Sequence, residues 1–139
     1  MTDPNSWNAT MIKEFRENGG RVGGTFAGAP LLLLHSTGAR SGQERVHPVM
    51  YRQVGPAMAI FASAAGADKH PDWYHNILAN PRVSVEVGTQ TVAVTARTAD
   101  GDERERIWTD QKHEYPGFAD YERKTERVIP VVVLEPVTE

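Results

Sequence analysis

The amino-acid sequence predicts an α+β fold: a barrel of about six mostly antiparallel strands with short helices inserted between some of them. Three observations point there. Six short runs are either continuously apolar or alternate between apolar and polar residues, and most are joined by turns containing Gly or Pro. Helical patterns fill only two of the five gaps between those runs, whereas a doubly wound parallel sheet needs a crossover helix between successive parallel strands. At 139 residues, 40% hydrophobic and 24% charged, the chain has the size and composition of a single soluble domain, spanning 1–139, with one continuous core.

The first element is an amphipathic helix within residues 1–20. Trp7, Met11, Ile12 and Phe15 fall on one helical face over 6–18, and Asn18 with Gly19 and Gly20 supplies the stop. That face has two readings: it covers the core, or it borders a ligand site or touches a membrane surface. Residues 31–35 form a continuous apolar run between Pro30 and a Gly38 turn, as a buried strand requires. Residues 46–54 alternate imperfectly, Gly55-Pro56 breaks them, and 58–63 resume as a third extended run.

Pro71 then begins a compact helix through Trp73, Tyr74, Ile77 and Leu78 that Asn80-Pro81 ends. Val83, Val85 and Val87 alternate with Ser84 and Glu86, Gly88-Thr89 turns, and 91–96 return, so this pair is expected to be a hairpin with one wet face. Residues 100–114 are highly charged around Ile107 and Trp108, with the acidic first turn that suits a helix start. After Tyr115-Pro116-Gly117, a further helix carries Phe118 and Tyr121 and continues through 122–127. The valine-rich run 128–134 closes the chain as a buried strand, with Pro130 marking an edge or bulge at its start.

Composition excludes several functions. A net charge of −3 argues against a duplex-binding surface, so no nucleic-acid partner is expected. The absence of cysteine removes disulfides, thiolate nucleophiles and zinc-thiolate sites, and fits a reducing, cytoplasmic setting. His70 and His75 stand five apart, and His35 and His47 lack a carboxylate at ligand spacing, so no metal site is expected. The carboxylates between Asp100 and Glu105 lack the apolar company that would shift their pKa values; they read as a solvated face.

Chemistry concentrates instead in residues 37–45, where Thr37, Gly38, Arg40, Ser41, Gly42 and Arg45 lie between two extended segments. Glycines let backbone amides approach a ligand, and hydroxyl and guanidinium donors suit phosphate oxygens, so the loop reads as an anion site or as an Arg-rich hairpin in solvent. It lacks the Gly-Lys-Ser/Thr of a Walker loop and the spacing of a dinucleotide fingerprint, and no Gly-x-Ser-x-Gly elbow occurs. Trp73, Tyr74 and Asn76 either pack as core and cap or present a ring and an amide to a planar ligand. Tyr115, Phe118 and Tyr121, three apart, either cover the barrel or wall a pocket.

Taken together, the apolar run 31–34, Thr37-Gly38-Ala39-Arg40-Ser41-Gly42-Gln43-Glu44-Arg45-Val46-His47-Pro48, Ala62-Ser63-Ala64-Ala65-Gly66, Pro71-Asp72-Trp73-Tyr74-His75-Asn76-Ile77-Leu78-Ala79-Asn80-Pro81 and the terminal Ile129-Pro130-Val131-Val132-Val133-Leu134-Glu135-Pro136 resemble the deazaflavin-dependent nitroreductase family of actinobacteria. The resemblance runs over about 30–136 and implies a split β-barrel of the FMN-binding, flavin-reductase type. It implies coenzyme F-420, a deazaflavin with a phosphodiester, lactate and glutamate tail, as the cofactor, with FMN as the alternative. Arg40, Ser41, Gly42 and Arg45 would hold the phosphate, Lys69 would add charge, and Ser63, Pro71, Trp73 and Asn76 would border the tail or the deazaflavin ring. Met50, Tyr115, Phe118 and Tyr121 would wall the substrate pocket, with Tyr121 and Ser63 as the catalytic candidates. Ala39 and Ala64 stand where family members often carry a basic residue, and Met50 and Phe118 where they often carry tyrosine.

The activity implied is hydride transfer from reduced F-420 to an electron-poor planar acceptor: a quinone, an enone or a nitroaromatic. The alternatives are an FMN-dependent reductase of the same fold and a non-catalytic deazaflavin carrier. The expected partner is the small-molecule acceptor, in a cytoplasmic monomer or homodimer with peripheral membrane contact through the N-terminal helix left open.

Overall fold

The computed structural model describes residues 4–19, 30–39, 42–63 and 66–137, and its described side chains begin at Ala9. In chain order the elements are α1 (Pro4–Glu17), β1 (Leu31–Thr37), β2 (Glu44–Val54), β3 (Ala57–Phe61), α2 (Asp72–Ala79), β4 (Arg82–Val87), β5 (Gln90–Thr98), α3 (Gly101–Glu114), α4 (Gly117–Lys124) and β6 (Val131–Pro136). The strands close into a barrel of order β1-β2-β3-β6-β5-β4, antiparallel at every pairing.

Alternation along the strands sorts their side chains into an inner and an outer set. Leu32, Leu34, Met58, Ile60, Val85, Val94, Val132 and Leu134 fill the interior, joined by Trp73, Tyr74 and Ile77 from α2. The outward residues of β3 and β6, Ala57, Ala59, Phe61, Val131 and Val133, form a second core with Ile107, Trp108 and Phe118 from α3 and α4. Leu31 and Leu33 on the outside of β1 are covered by Met11 and Phe15 of α1. The apolar face of α1 thus serves the barrel wall at these positions. Beside it, Arg16 forms a two-pronged pair with Glu86 (2.6 and 3.1 Å), and His35 meets the same carboxylate at 2.5 Å.

The antiparallel order places the long connections at one end. Thr37, Phe61 and Thr98 end their strands where Glu44, Arg82 and Val131 begin theirs. Hairpin 38–43, the segment leading into α2, and both ends of the α3–α4 excursion all emerge there, while the tight turns at Gly55 and Gly88, each with positive φ, lie at the other end.

Boundaries differ from expectation where backbone pairing outruns apolar pattern. Strands β1 and β2 extend through Ser36 opposite Arg45 and Thr37 opposite Glu44, because ladder hydrogen bonds do not require apolar side chains. Helix α4 stops at Lys124 rather than continuing to 127, with Thr125 already extended (φ −134°, ψ 149°). Strand β6 starts at Val131, after Pro130, rather than at 128, and Val128 is exposed.

Candidate functional site

The hairpin joining β1 to β2 is tightly closed. The Gly38 N–H donates to the Gln43 carbonyl (2.8 Å) and the Gly42 N–H to the Gly38 carbonyl (2.9 Å). Gly42 has φ +69°, and a Cβ there would meet nothing within 4 Å, so the turn's conformation, not crowding, demands glycine. The predicted phosphate ligands Arg40 and Ser41 lie outside the described residues.

Asn76, buried on α2, ties this hairpin down. Its Oδ1 accepts the Ala39 N–H (3.0 Å) and its Nδ2 donates to Ser36 Oγ (3.3 Å). A buried amide satisfied on both sides acts first as a positioning group. Arg45 is exposed and pairs across the ladder with Ser36, so the two share a sheet face. His47 follows on that face. Burial pushes its pKa down, Asp72 at the start of α2 opposes this, and the charge of Arg45 adds to it. Its Nδ1 is buried without a hydrogen-bond partner. Arg45, His47 and Asp72 thus form one electrostatic neighbourhood beneath the hairpin.

Pro71 precedes α2 as its cap residue and is half-buried; Lys69, two residues earlier, is exposed. Trp73, for which packing and ligand contact were both open, is packed inside the barrel, where its ring makes an edge contact with Tyr74. Ser63 is half-buried at the exit of β3.

The four predicted pocket residues come together outside the barrel. Phe118 is buried and meets Tyr121 edge-on at 5.4 Å, Phe61 at 5.5 Å and Trp108 at 6.2 Å; Tyr115, Tyr121 and Met50 are half-buried against the same cluster. The orientation of α4 is set by Glu122, whose carboxylate accepts from Trp108 Nε1 (2.5 Å) and Lys112 Nζ (3.1 Å). Gly66 (φ +85°) abuts the same helix: a Cβ there would stand 3.0 Å from the Tyr121 carbonyl and from Lys124 Cβ, so no larger residue fits without a shift.

Strand β2 connects the two halves. None of its eleven residues is fully buried, whereas each other strand has at least two that are. Its outward side, with Val46 and Met50, runs between the α1 cover and the aromatic cluster and is left half-covered. A half-covered apolar strip leading from a basic hairpin to aromatic rings suits a ligand with an anionic end and a planar end.

Sequence reasoning missed Arg127, whose guanidinium bonds to Ala62, Ser63, Ala67 and His70. It also missed the Glu122 tie and the requirement at Gly66. These partners lie far apart in sequence, and no local pattern announces them.

Comparison with known proteins bears on this arrangement directly. A family model described as F-420H(2)-dependent quinone reductase matches residues 7–136. This chain belongs to that family. An F-420H(2)-dependent quinone reductase of Mycobacterium tuberculosis is 39% identical over 124 residues, 86% of this chain and 83% of that protein. Among solved structures, an F-420H(2)-dependent reductase designated FDR-A is 43% identical, with a TM-score of 0.70 over 76% of this chain and 94% of that one. A structure described as a domain-swapped dimer is 38% identical, with a TM-score of 0.72 over 96% of this chain and all of that one. The heme storage protein HutZ of Vibrio cholerae, 15% identical with a TM-score of 0.60 over 95% of this chain and 92% of that one, shares the fold alone. The split barrel expected from the motifs is therefore the fold observed, and the family description names the quinone among the three acceptor classes expected.

Proposed function

We propose that this F-420H(2)-dependent quinone reductase holds reduced F-420 along the half-covered side of β2 and passes a hydride to a quinone stacked near Tyr121. The observation that carries this reading is strand β2, which runs from the Asn76-anchored hairpin to Met50 beside the Phe118–Tyr121 cluster with none of its residues fully buried. The donor set fits the group: exposed Arg45 and Lys69 suit phosphate and carboxylate oxygens, and the apolar and aromatic wall suits a flat ring.

When bound, the deazaflavin supplies a hydride at its reactive ring carbon. The chain's own residues do the rest. Arg45 and the Gly42 turn fix the anionic end, with Asn76 holding the hairpin at its distance from α2. Met50, Tyr115 and Phe118 exclude water from the planar end, so that developing charge on the acceptor meets oriented donors rather than bulk solvent. The Tyr121 hydroxyl is the group assigned to orient the acceptor and supply a proton to its reduced oxygen, and Ser63 is assigned to the edge of the coenzyme.

Fluorescence titration with oxidised F-420, followed by oxidation of reduced F-420 against a soluble naphthoquinone and a nitroaromatic, tests the reading. Saturable binding with quinone-dependent turnover is expected; tight binding without turnover on any acceptor returns the carrier alternative, and binding of FMN alone returns the other. Among the described residues no helix is long and apolar enough to cross a membrane. For assembly we propose a homodimer, supported by the relative described as a domain-swapped dimer; light scattering should give twice the 15.4 kDa chain mass, and a monomer mass overturns it.

A further inference from the structure

Arg127 lies outside the regular elements, two residues beyond Thr125, and uses four of its five N–H donors. Its Nη1 donates to the Ala62 carbonyl (3.1 Å) and to His70 Nδ1 (2.9 Å), Nη2 donates to the Ser63 carbonyl (2.9 Å), and Nε donates to the Ala67 carbonyl (2.8 Å). All four partners belong to the connection between β3 and α2. Accepting at Nδ1 places the His70 proton on Nε2, and the His70 pKa is pushed down by burial first and by the charge of Arg127 next, which keeps that acceptor available. Asp68, Lys124, Thr125, Glu126 and Arg127 itself line a depression of about 440 Å³.

The placement of two of these bonds matters most. The Ala62 carbonyl belongs to the peptide plane before Ser63, and the Ser63 carbonyl to the plane after it. A peptide unit is rigid, so anchoring both carbonyls on one planar guanidinium fixes both dihedrals of Ser63 and with them the direction of its Cα–Cβ bond. The N–H of Ala62 is held in turn by the Pro130 carbonyl (3.0 Å), and the Ser63 carbonyl also accepts the Gly66 N–H (2.9 Å). Gly66 is pressed against Tyr121 and Lys124 of α4.

We infer that Arg127 is a positioning residue for the redox site: through paired bonds to the carbonyls flanking Ser63 it sets the direction in which Ser63 faces the coenzyme, and it registers this segment against the helix that carries Tyr121. The inference rests on the assignment of Ser63 to the coenzyme site made above. A lysine at 127 keeps the charge but cannot span two divergent carbonyls and an imidazole, so Arg127→Lys removes the geometry selectively.

The test is a double-mutant cycle of Arg127→Lys and Ser63→Ala, each compared with the native chain for oxidised F-420 affinity, turnover with a naphthoquinone, quinone KM and hydrogen exchange of the amides of 66–70 without ligand. Arg127→Lys is expected to weaken F-420 binding or lower turnover by about tenfold, to leave the quinone KM within about twofold, and to speed exchange at 66–70 while the strand amides keep their protection. In the Ser63→Ala background the same change should have little further effect on binding and turnover, because the group it positions is gone. Additive effects, or unchanged affinity and turnover in Arg127→Lys, overturn the role even if exchange rises, since the clamp is then only structural. Arg127→Gln, which retains a single donor group, serves where Arg127→Lys fails to fold. Native protein that does not bind F-420 overturns the cofactor reading instead, an outcome visible before any variant is made.

Discussion

Arg45 carries the simplest residue-level expectation, because it is exposed beside the hairpin and has no apolar core to support. Arg45→Ala should weaken F-420 binding by about 1.5–3 kcal/mol, the usual contribution of a hydrogen bond to a charged group, with little change in melting temperature. Unchanged affinity in the titration removes Arg45 from the site. Tyr121 should behave in the opposite way. Its ring packs edge-on against Phe118, which Tyr121→Phe preserves, so the loss of the hydroxyl should lower turnover on the order of 10²-fold while F-420 affinity stays near native. An equal loss of both would make the residue structural. The residue scale is also where sequence legibility was most uneven. The residue types of an anion site were visible in Gly42 and Arg45, whereas the packing partners of Asn76 and Trp73 were not: Ala39 and Ser36 engage the amide, and the barrel interior takes the indole.

At the scale of elements, α1 is attached to the barrel by a small core of Met11, Phe15, Leu31 and Leu33 and by the Arg16–Glu86–His35 cluster. The hydrogen bond from Arg16 holds the Glu86 carboxyl below its ordinary value of 4.5, with burial opposing and His35 assisting. A carboxylate whose folded pKa is depressed contributes stability that is fully present above its unfolded pKa and is lost as the pH falls through the folded one. The attachment of α1 should therefore be intact at neutral pH and weaken below about pH 4.5. Melting curves between pH 6 and pH 3 should show a loss of stability that is smaller in Glu86→Gln, which has no carboxylate to protonate; the same acid dependence in both would exclude Glu86 as its source. The order and type of these elements were legible from periodicity and punctuation, as Pro71 and Asn80-Pro81 show around α2. The ends were less so, because β1 and β2 continue through polar pairs that periodicity does not register.

For the whole molecule, closure of the barrel by β1 with β4 and β3 with β6 brings the hairpin, α2 and the α3–α4 excursion to one end. A ligand spanning these parts stabilises the native state by mass action. Oxidised F-420 at about 100 times its Kd should add about 2.7 kcal/mol to the unfolding free energy, read as a rise in melting temperature that grows with concentration. A melting temperature independent of F-420 would show that the native barrel does not bind it. The same measurement with Arg45→Ala should show a smaller rise at equal ligand concentration, linking the local contact to the global readout.

By itself the amino-acid sequence determined the class of fold, the succession of strands and helices, the basic hairpin and the motifs that identify the family, because each is written in residues close together along the chain. Only the tertiary structure decided that β2 stays half-covered, that Met50 and the three aromatics share one cluster, and that Arg127 grips carbonyls up to 65 residues away. These depend on which faces meet when the barrel closes, and a side chain's partner across that distance leaves no trace in local hydrophobic period or turn chemistry.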